Sequence, residues 1–282
     1  MLQFLIDNVG SIGVKQWTVA PAVYLDHWAL RTISEDPVLR ARMSAALQSR
    51  NGTLMLSWLN LVEFAKVTDA DQAQSAETFV EEILPNVFFL EVNPVTVIEQ
   101  ENGLLAGGQL VAPHADDGFL KAFIGLTPTS VKPFTARNLF TAAHDGGFAG
   151  RFDAVADTMV ERVEALRERM DNDATFVSRV RRLPSGPEIQ RGTRYVLREL
   201  ARTFLVDRGV KVTRNHAIDL IHAVVPVAYC DLVLLDKHWE SQVERVRSRF
   251  ADADMAVPLA RVYSGRRDGV QRFLSALESN DI

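Results

Sequence analysis

The sequence is nearly devoid of cysteine. Its single thiol, Cys230, cannot close an internal disulfide, so packing and hydrogen bonds must hold the chain together without covalent staples. Long apolar runs are missing too: nothing approaches the roughly 18 residues that a membrane-crossing helix needs. No basic segment followed by an apolar core and a small-residue cleavage site opens the chain, so no secretory signal is expected. These absences point to a reducing cytoplasm and exclude a membrane partner. Positive charge is not in surplus, with 31 Lys and Arg against 36 Asp and Glu and a net charge of −5, which excludes a wholly basic nucleic-acid binder. Internal repeats and low-complexity tracts are absent as well.

What is present is ordinary globular composition: 282 residues, 47% hydrophobic and 24% charged, enough for one large domain or two small ones. The charge is unevenly spread. Between Ser178 and Arg214 there are ten basic residues against three acidic, and between Thr68 and Thr135 two basic against ten acidic.

Periodicity predicts alternating strands and helices. Residues 1 to 20 have no firm period and read as an edge strand or an arm. Pro21 to Leu25 form an apolar run of the kind that a strand buried on both faces needs, ending at Asp26. A helix begins at His27, and another at Pro37, where proline's missing N–H costs nothing. Asn51-Gly52 marks a turn. Residues 53–57 and 87–92 read as further strands, with a helix between them that contains Glu63 and is expected to be capped by Asn60, and another over 71–84. Pro94 opens the next helix. From 103 to 150 the sequence is irregular. Helix 151–171 carries an apolar stripe. A Pro/Gly break at 183–187 separates it from a second amphipathic helix, which together suggest a helical hairpin. The stretch Asn215 to Trp239 then reads as a helix capped by Asn215 and a short strand, Val233 to Leu235, ending at Asp236. Pro226 removes a backbone bond within that helix and predicts an end or a kink there. A helix over 239–250, a strand at 260–263 and a last helix from 268 complete the chain. The pattern is that of an α/β fold: three layers, with a mainly parallel sheet between helices.

Four acids stand out because they come from four separate elements: Asp26, Glu63, Asp219 and Asp236. In an open parallel sheet, sites form beyond the carboxyl ends of the strands. Carboxylates gathered there repel one another and raise each other's pKa. A hard divalent cation such as Mg²⁺ or Mn²⁺ relieves the repulsion through oxygen ligands, and acids without a neighbouring His or Cys favour these ions over Zn²⁺. Such an ion can activate a water toward a phosphodiester.

On four short motifs the sequence resembles the PIN-domain nucleases: Tyr24-Leu25-Asp26, Ser57-x-x-Asn60-x-x-Glu63, Asp219-Leu220-Ile221-His222-Ala223 and Leu234-Leu235-Asp236-Lys237. The resemblance covers roughly residues 20–100 and 212–265. It implies a parallel sheet flanked by helices, a metal-dependent ribonuclease activity, and Asp26, Glu63, Asp219 and Asp236 as catalytic metal ligands. It also implies Ser57 or Asn60 as the small polar residue before the glutamate. Many members are toxins of bacterial toxin–antitoxin pairs, so an inhibitory protein or a second copy of the chain is an expected partner. Members are about half this length, which makes 1–102 and 211–282 the expected core and 103–210 a mainly helical insertion. A structure-selective DNA nuclease and an inactive binding module on the same core are the alternatives.

Each residue also has a plainer reading. An Asp at a helix start is commonly a cap. Asp231 lies at the amino end of its strand, away from the expected site. His222 shares a helix face with Asp219; it reads first as a satisfied structural histidine, and otherwise as a phosphate contact or a group orienting Asp219. Lys237 contacts a phosphate or points to water, and His238 is expected at the surface. Arg194, Arg198 and Arg202, spaced four apart, form one helix face: a solvated or acid-paired face, or a rim steering RNA toward the acids.

Overall fold

The computed structural model describes residues 1–6, 12–65, 70–106, 114–116, 148–185, 192–207, 209 and 211–279. Its centre is a five-stranded parallel sheet with strand order β5-β4-β3-β6-β7. The strands are β3 (Ala22–Leu25), β4 (Thr53–Leu56), β5 (Val87–Phe89), β6 (Leu232–Leu234) and β7 (Arg261–Tyr263). Four of the five, β3, β4, β5 and β6, are buried at every position, as a sheet covered on both faces requires. A separate antiparallel hairpin, β1 (Leu2–Ile6) and β2 (Ile12–Gln16), is therefore not an edge of this sheet. It docks on β5, where Gln16 Oε1 accepts the Phe89 N–H at 2.8 Å.

The helices are α1 (His27–Glu35), α2 (Pro37–Arg50), α3 (Trp58–Ala65), α4 (Ala70–Ile83) and α5 (Pro94–Ala106). They continue with α6 (Phe148–Asn172), α7 (Ala174–Arg181), α8 (Thr193–Val206), α9 (Arg214–Tyr229), α10 (Lys237–Asp252) and α11 (Gly269–Glu278). α1, α2, α4 and α11 pack together as one layer, and α5, α6, α8 and α9 as the other. This is the three-layer α/β/α arrangement. Among the described residues no helix is long and apolar enough to cross a membrane.

Local chemistry sets most helix starts. Asp26 caps α1 and Asp36 caps α2, with Pro37 in its first turn. Asn51 ends α2 in the left-handed conformation at φ 51°. Gly52 follows because a Cβ there would stand 2.9 Å from the Pro21 carbonyl oxygen. Three expectations are corrected. α3 begins at Trp58, so Asn60 lies inside it and does not cap it. α9 is capped by Thr213, which also accepts from the His216 N–H, so the helix starts a residue before Asn215. α9 also runs through Pro226 to Tyr229, so the helix does not end at the proline: the missing N–H removes one bond of the ladder, and burial of Leu220 to Val227 outweighs that loss.

Helices α6 and α8 form the expected pair, with Arg167 of α6 donating to the Phe204 carbonyl at 2.7 Å. α7, capped by Asp173, intervenes unforeseen, and α5 extends to Ala106 into the stretch read as irregular. Much of 103–150 lies outside the described residues. Val163, Tyr195, Val196, Leu200 and Phe204 from this middle region join the same hydrophobic core as the sheet.

Asp231 fastens the amino ends of the strands. Its Oδ2 accepts the Ala22 N–H at 2.7 Å, and its carbonyl accepts from Arg261 N at 2.9 Å. Asp231→Ala leaves the buried Ala22 N–H without an acceptor, a loss of about 1–3 kcal/mol in urea unfolding. Asp231→Asn, which keeps an acceptor oxygen, should lose much less; equal losses in the two variants would refute this role.

Candidate functional site

Numbered along the chain, the five core strands run 3-2-1-4-5 across the sheet, so successive connections leave in opposite directions from β3 and β6. A crevice opens beyond the carboxyl ends of strands at such a switch point. Here the two ends are held side by side, with Asp26 N donating to the Leu234 carbonyl at 3.1 Å. Asp26 follows β3 and Asp236 follows β6 by two residues. Glu63 arrives on α3, after β4, and Asp219 on α9. All four line one cleft of about 170 Å³, together with His27, Trp28, His222 and Trp239.

Both strand-end acids also cap helices. Asp26 Oδ1 accepts the Ala29 N–H at 3.1 Å, and Asp236 Oδ1 accepts the His238 N–H at 3.2 Å. The amino ends of α1 and α10 therefore meet at the cleft, and helix amino ends favour anions. Asp26 is 8% exposed. Burial raises its pKa well above the ordinary value; Glu63 and Asp236 add to the rise, while His222 and the Ala29 N–H oppose it. Asp219 is pushed up to about 6, by burial first and then by Asp236 and Glu63, against the pull of His222 and His216. Asp236 itself is exposed.

A buried chain of side chains runs behind the acids. Asn60 Nδ2 donates to the Leu25 carbonyl at 2.9 Å, which turns Asn60 Oδ1 toward Ser57, whose N–H and Oγ–H both donate to it at 2.9 Å. With the Ser57 hydroxyl hydrogen so used, the Tyr24 hydroxyl donates to Ser57 Oγ across 3.1 Å. The Tyr24 oxygen then accepts from His222 Nδ1 at 2.5 Å. The other ring nitrogen, Nε2, stands 3.0 Å from Glu63 Oε2. The directions leave His222 with a proton on Nδ1, and an ionised Glu63 adds one on Nε2, making an imidazolium. Burial alone would lower the His222 pKa, but the charge of Glu63, its hydrogen bond, Asp26 and Asp219 outweigh burial and raise it.

The expected polar residues therefore divide. Ser57, Asn60 and His222 belong to this buried chain. Lys237 is exposed. Arg194, Arg198 and Arg202 do not act as one free rim: Arg194 donates to Asn102 Oδ1 at 3.0 Å, Arg198 to the Arg179 carbonyl at 3.4 Å, and Arg202 to Glu199 at 3.3 Å. Only Arg202 lines a second, larger cleft of about 420 Å³, which shares Asp219 and Asp236 with the first. Sequence reading missed Tyr24 as a partner of His222, since 198 positions separate them. It also missed His27 and Trp28, and Gln242, Arg245 and Arg249 of the second cleft. A signal existed for the last three: with His238 they recur at spacings of four, three and four, one face of α10.

Whether an ion fits depends on the donors. The acids offer oxygen, the chemistry of Mg²⁺ and Mn²⁺; the expectation that no histidine neighbours them is corrected, since His27 and His222 line the same cleft, but both nitrogens of His222 are engaged by Tyr24 and Glu63. The acids line one cleft, yet among the described residues no three His, Cys, Asp or Glu are grouped tightly enough to form a metal cage. The two facts are compatible with a hard ion that keeps several waters and takes one or two carboxylates directly. No family model, characterised protein or solved structure matches this chain.

Two outcomes follow. Tyr24→Phe strands the His222 Nδ1–H in the core and leaves Ser57 Oγ bonded to Asn60 alone, and unfolding stability should fall by about 1–3 kcal/mol; an unchanged denaturant midpoint would dispose of the directed chain. Asp219 binds its proton more tightly folded than unfolded, so in EDTA its ionisation takes stability away as pH rises from near 4 to about 6, a loss not regained above. Asp219→Asn removes that penalty, raising stability at pH 8 by roughly 1–3 kcal/mol while leaving it near wild type at pH 4. A variant less stable than wild type at pH 8 would contradict the assigned repulsion.

Proposed function

We propose that this protein is a divalent-metal-dependent nuclease that hydrolyses RNA phosphodiesters. The observation carrying the proposal is the convergence of Asp26, Glu63, Asp219 and Asp236, from four separate elements, on one cleft at the switch point of the sheet. The resemblance to PIN-domain nucleases names the same four residues. Asp26 and Asp236 are the direct ligands best placed for Mg²⁺ or Mn²⁺, because the paired ends of β3 and β6 fix their backbones. Asp219 and Glu63 complete the acid wall. When bound, the ion supplies charge neutralisation at the phosphate and a water activated at neutral pH.

The chain's own residues do the rest. The amino ends of α1 and α10 favour the phosphate's negative charge. His222, held by Tyr24 and Glu63, puts a positive charge among the acids and limits their repulsion in the ion-free protein. The raised pKa values of Asp26 and Asp219, set first by burial and then by neighbouring acids, mark carboxylates whose ionised form a bound cation would favour.

One observation favours a second reading. The His222–Glu63 ion pair occupies a carboxylate that a nuclease would need, which suits a binding module that has kept the fold without the chemistry. Incubation with labelled single-stranded RNA and Mn²⁺ separates the two. The nuclease reading expects cleavage that EDTA abolishes and that Asp26→Asn and Asp236→Asn each lower by at least about a hundredfold. Equal inactivity of wild type and both variants, on RNA and on branched DNA, would sink it. Cleavage of branched DNA alone would move the substrate class to DNA.

A further inference from the structure

The larger cleft lies between α8 and α10, with the amino end of α9 at its base. It adjoins the acid cleft, because Asp219 and Asp236 line both. One wall comes from the middle region of the chain and the other from the helix that Asp236 caps. Along α10, His238, Gln242, Arg245 and Arg249 form a single stripe into this groove. At about 1.5 Å of rise per residue, Arg245 sits ~13 Å beyond Asp236 along the helix axis.

The polar groups in this groove are unequally satisfied. Arg249 and Arg202 are spent on Glu199, at 2.6 and 3.3 Å. Arg245 is exposed and makes no ion pair or hydrogen bond among the described residues. Gln242 is 7% exposed and Glu199 1%, and each keeps a buried Oε1 with no hydrogen-bond partner among the described residues. Arg198 Nε stands 3.8 Å from that Glu199 oxygen, beyond hydrogen-bond length. The groove thus presents a free cation and, at its wall, the Gln242 amide oxygen in want of a donor; the Glu199 carboxylate lies wholly beneath the surface. A nucleic-acid backbone offers the anion. RNA also offers the donor, the ribose 2′-hydroxyl, which DNA lacks.

We infer that the groove between α8 and α10 is the track for the RNA segment running away from the acid cleft, with Arg245 on a backbone phosphate and Gln242 accepting from a ribose hydroxyl. Its substrate class rests on the nuclease reading; its location rests on the groove. The middle region of the chain then has a function: α8 makes the second wall of the binding track.

The test uses the full chain in EDTA, so that nothing is cut, with fluorescence anisotropy of a labelled single-stranded RNA and of DNA of the same sequence. Wild type should bind RNA more tightly than DNA. Arg245→Ala should weaken RNA binding about fivefold and flatten the log–log salt slope by about one. Arg245→Glu should weaken it further, while Arg169→Ala, on an exposed Asp173 pair of α6, should change neither quantity. Gln242→Leu, close in volume, should narrow the RNA-over-DNA preference without shifting the melting temperature greatly. Unchanged binding in both Arg245 variants, no RNA binding by wild type, or equal RNA and DNA affinity in wild type would each overturn the inference. The Mn²⁺ cleavage assay run beside it keeps the failures apart. Cleavage with unaltered Arg245-variant binding removes the track and leaves the nuclease. The expected binding pattern without cleavage leaves the track and removes the nuclease.

Discussion

The parallel pairing of β3 with β6 is the constraint on which the carboxyl edge of the sheet depends. Val23, Tyr24 and Leu25 stand in register with Leu232, Val233 and Leu234, joining segments some two hundred residues apart. Because the two strands run the same way, their ends and the acids that follow them arrive at one edge. Because the connections leave in opposite directions, that edge opens as a crevice. Asp231 secures the amino ends of the same strands and sits at the opposite edge, so two aspartates five positions apart serve opposite ends of β6.

The polar chain from Asn60 to Glu63 through Ser57, Tyr24 and His222 links β3, β4, α3 and α9 inside the core. Buried hydrogen bonds of this sort specify arrangement more than they add net stability, because each group left unpaired is costly. Its direction is set at one end by a backbone carbonyl, that of Leu25, which accepts only from the nitrogen of Asn60. At the other end it delivers a proton-bearing imidazole to a cluster of carboxylates. The acid cleft is therefore partly charge-balanced from within, and His222 opposes the rise that burial gives the Asp26 pKa.

The middle region is part of the same body. Its described helices contribute to one core with the sheet, and α8 faces α10 across the larger groove. Glu199 on α8 is held by Arg202 and by Arg249 of α10. That ion cluster braces the two walls and leaves Arg245 as the cation open to solvent.

The sequence by itself determined the layers of this protein and the places where acids leave its strands. Short apolar runs buried on both faces, helix stripes, and caps such as Asp36-Pro37 depend on neighbours within a few positions, and local physics reads them directly. The four acids were legible for the same reason: Asp26 and Asp236 follow short buried strands, and Glu63 and Asp219 ride on patterned helices. Helix starts at Trp58 and Arg214, in place of those expected after Asn60 and Asn215, were not, since several residues can cap and tertiary contacts choose among them. The arginine face at 194, 198 and 202 has a clear period, but period does not say whether a cation meets an acid, a carbonyl or water. Only the tertiary structure paired His222 with Tyr24 and Glu63, spent Arg202 and Arg249 on Glu199, and left Arg245 open. Those outcomes depend on which side chains meet across long stretches of chain, and no local pattern encodes the meeting.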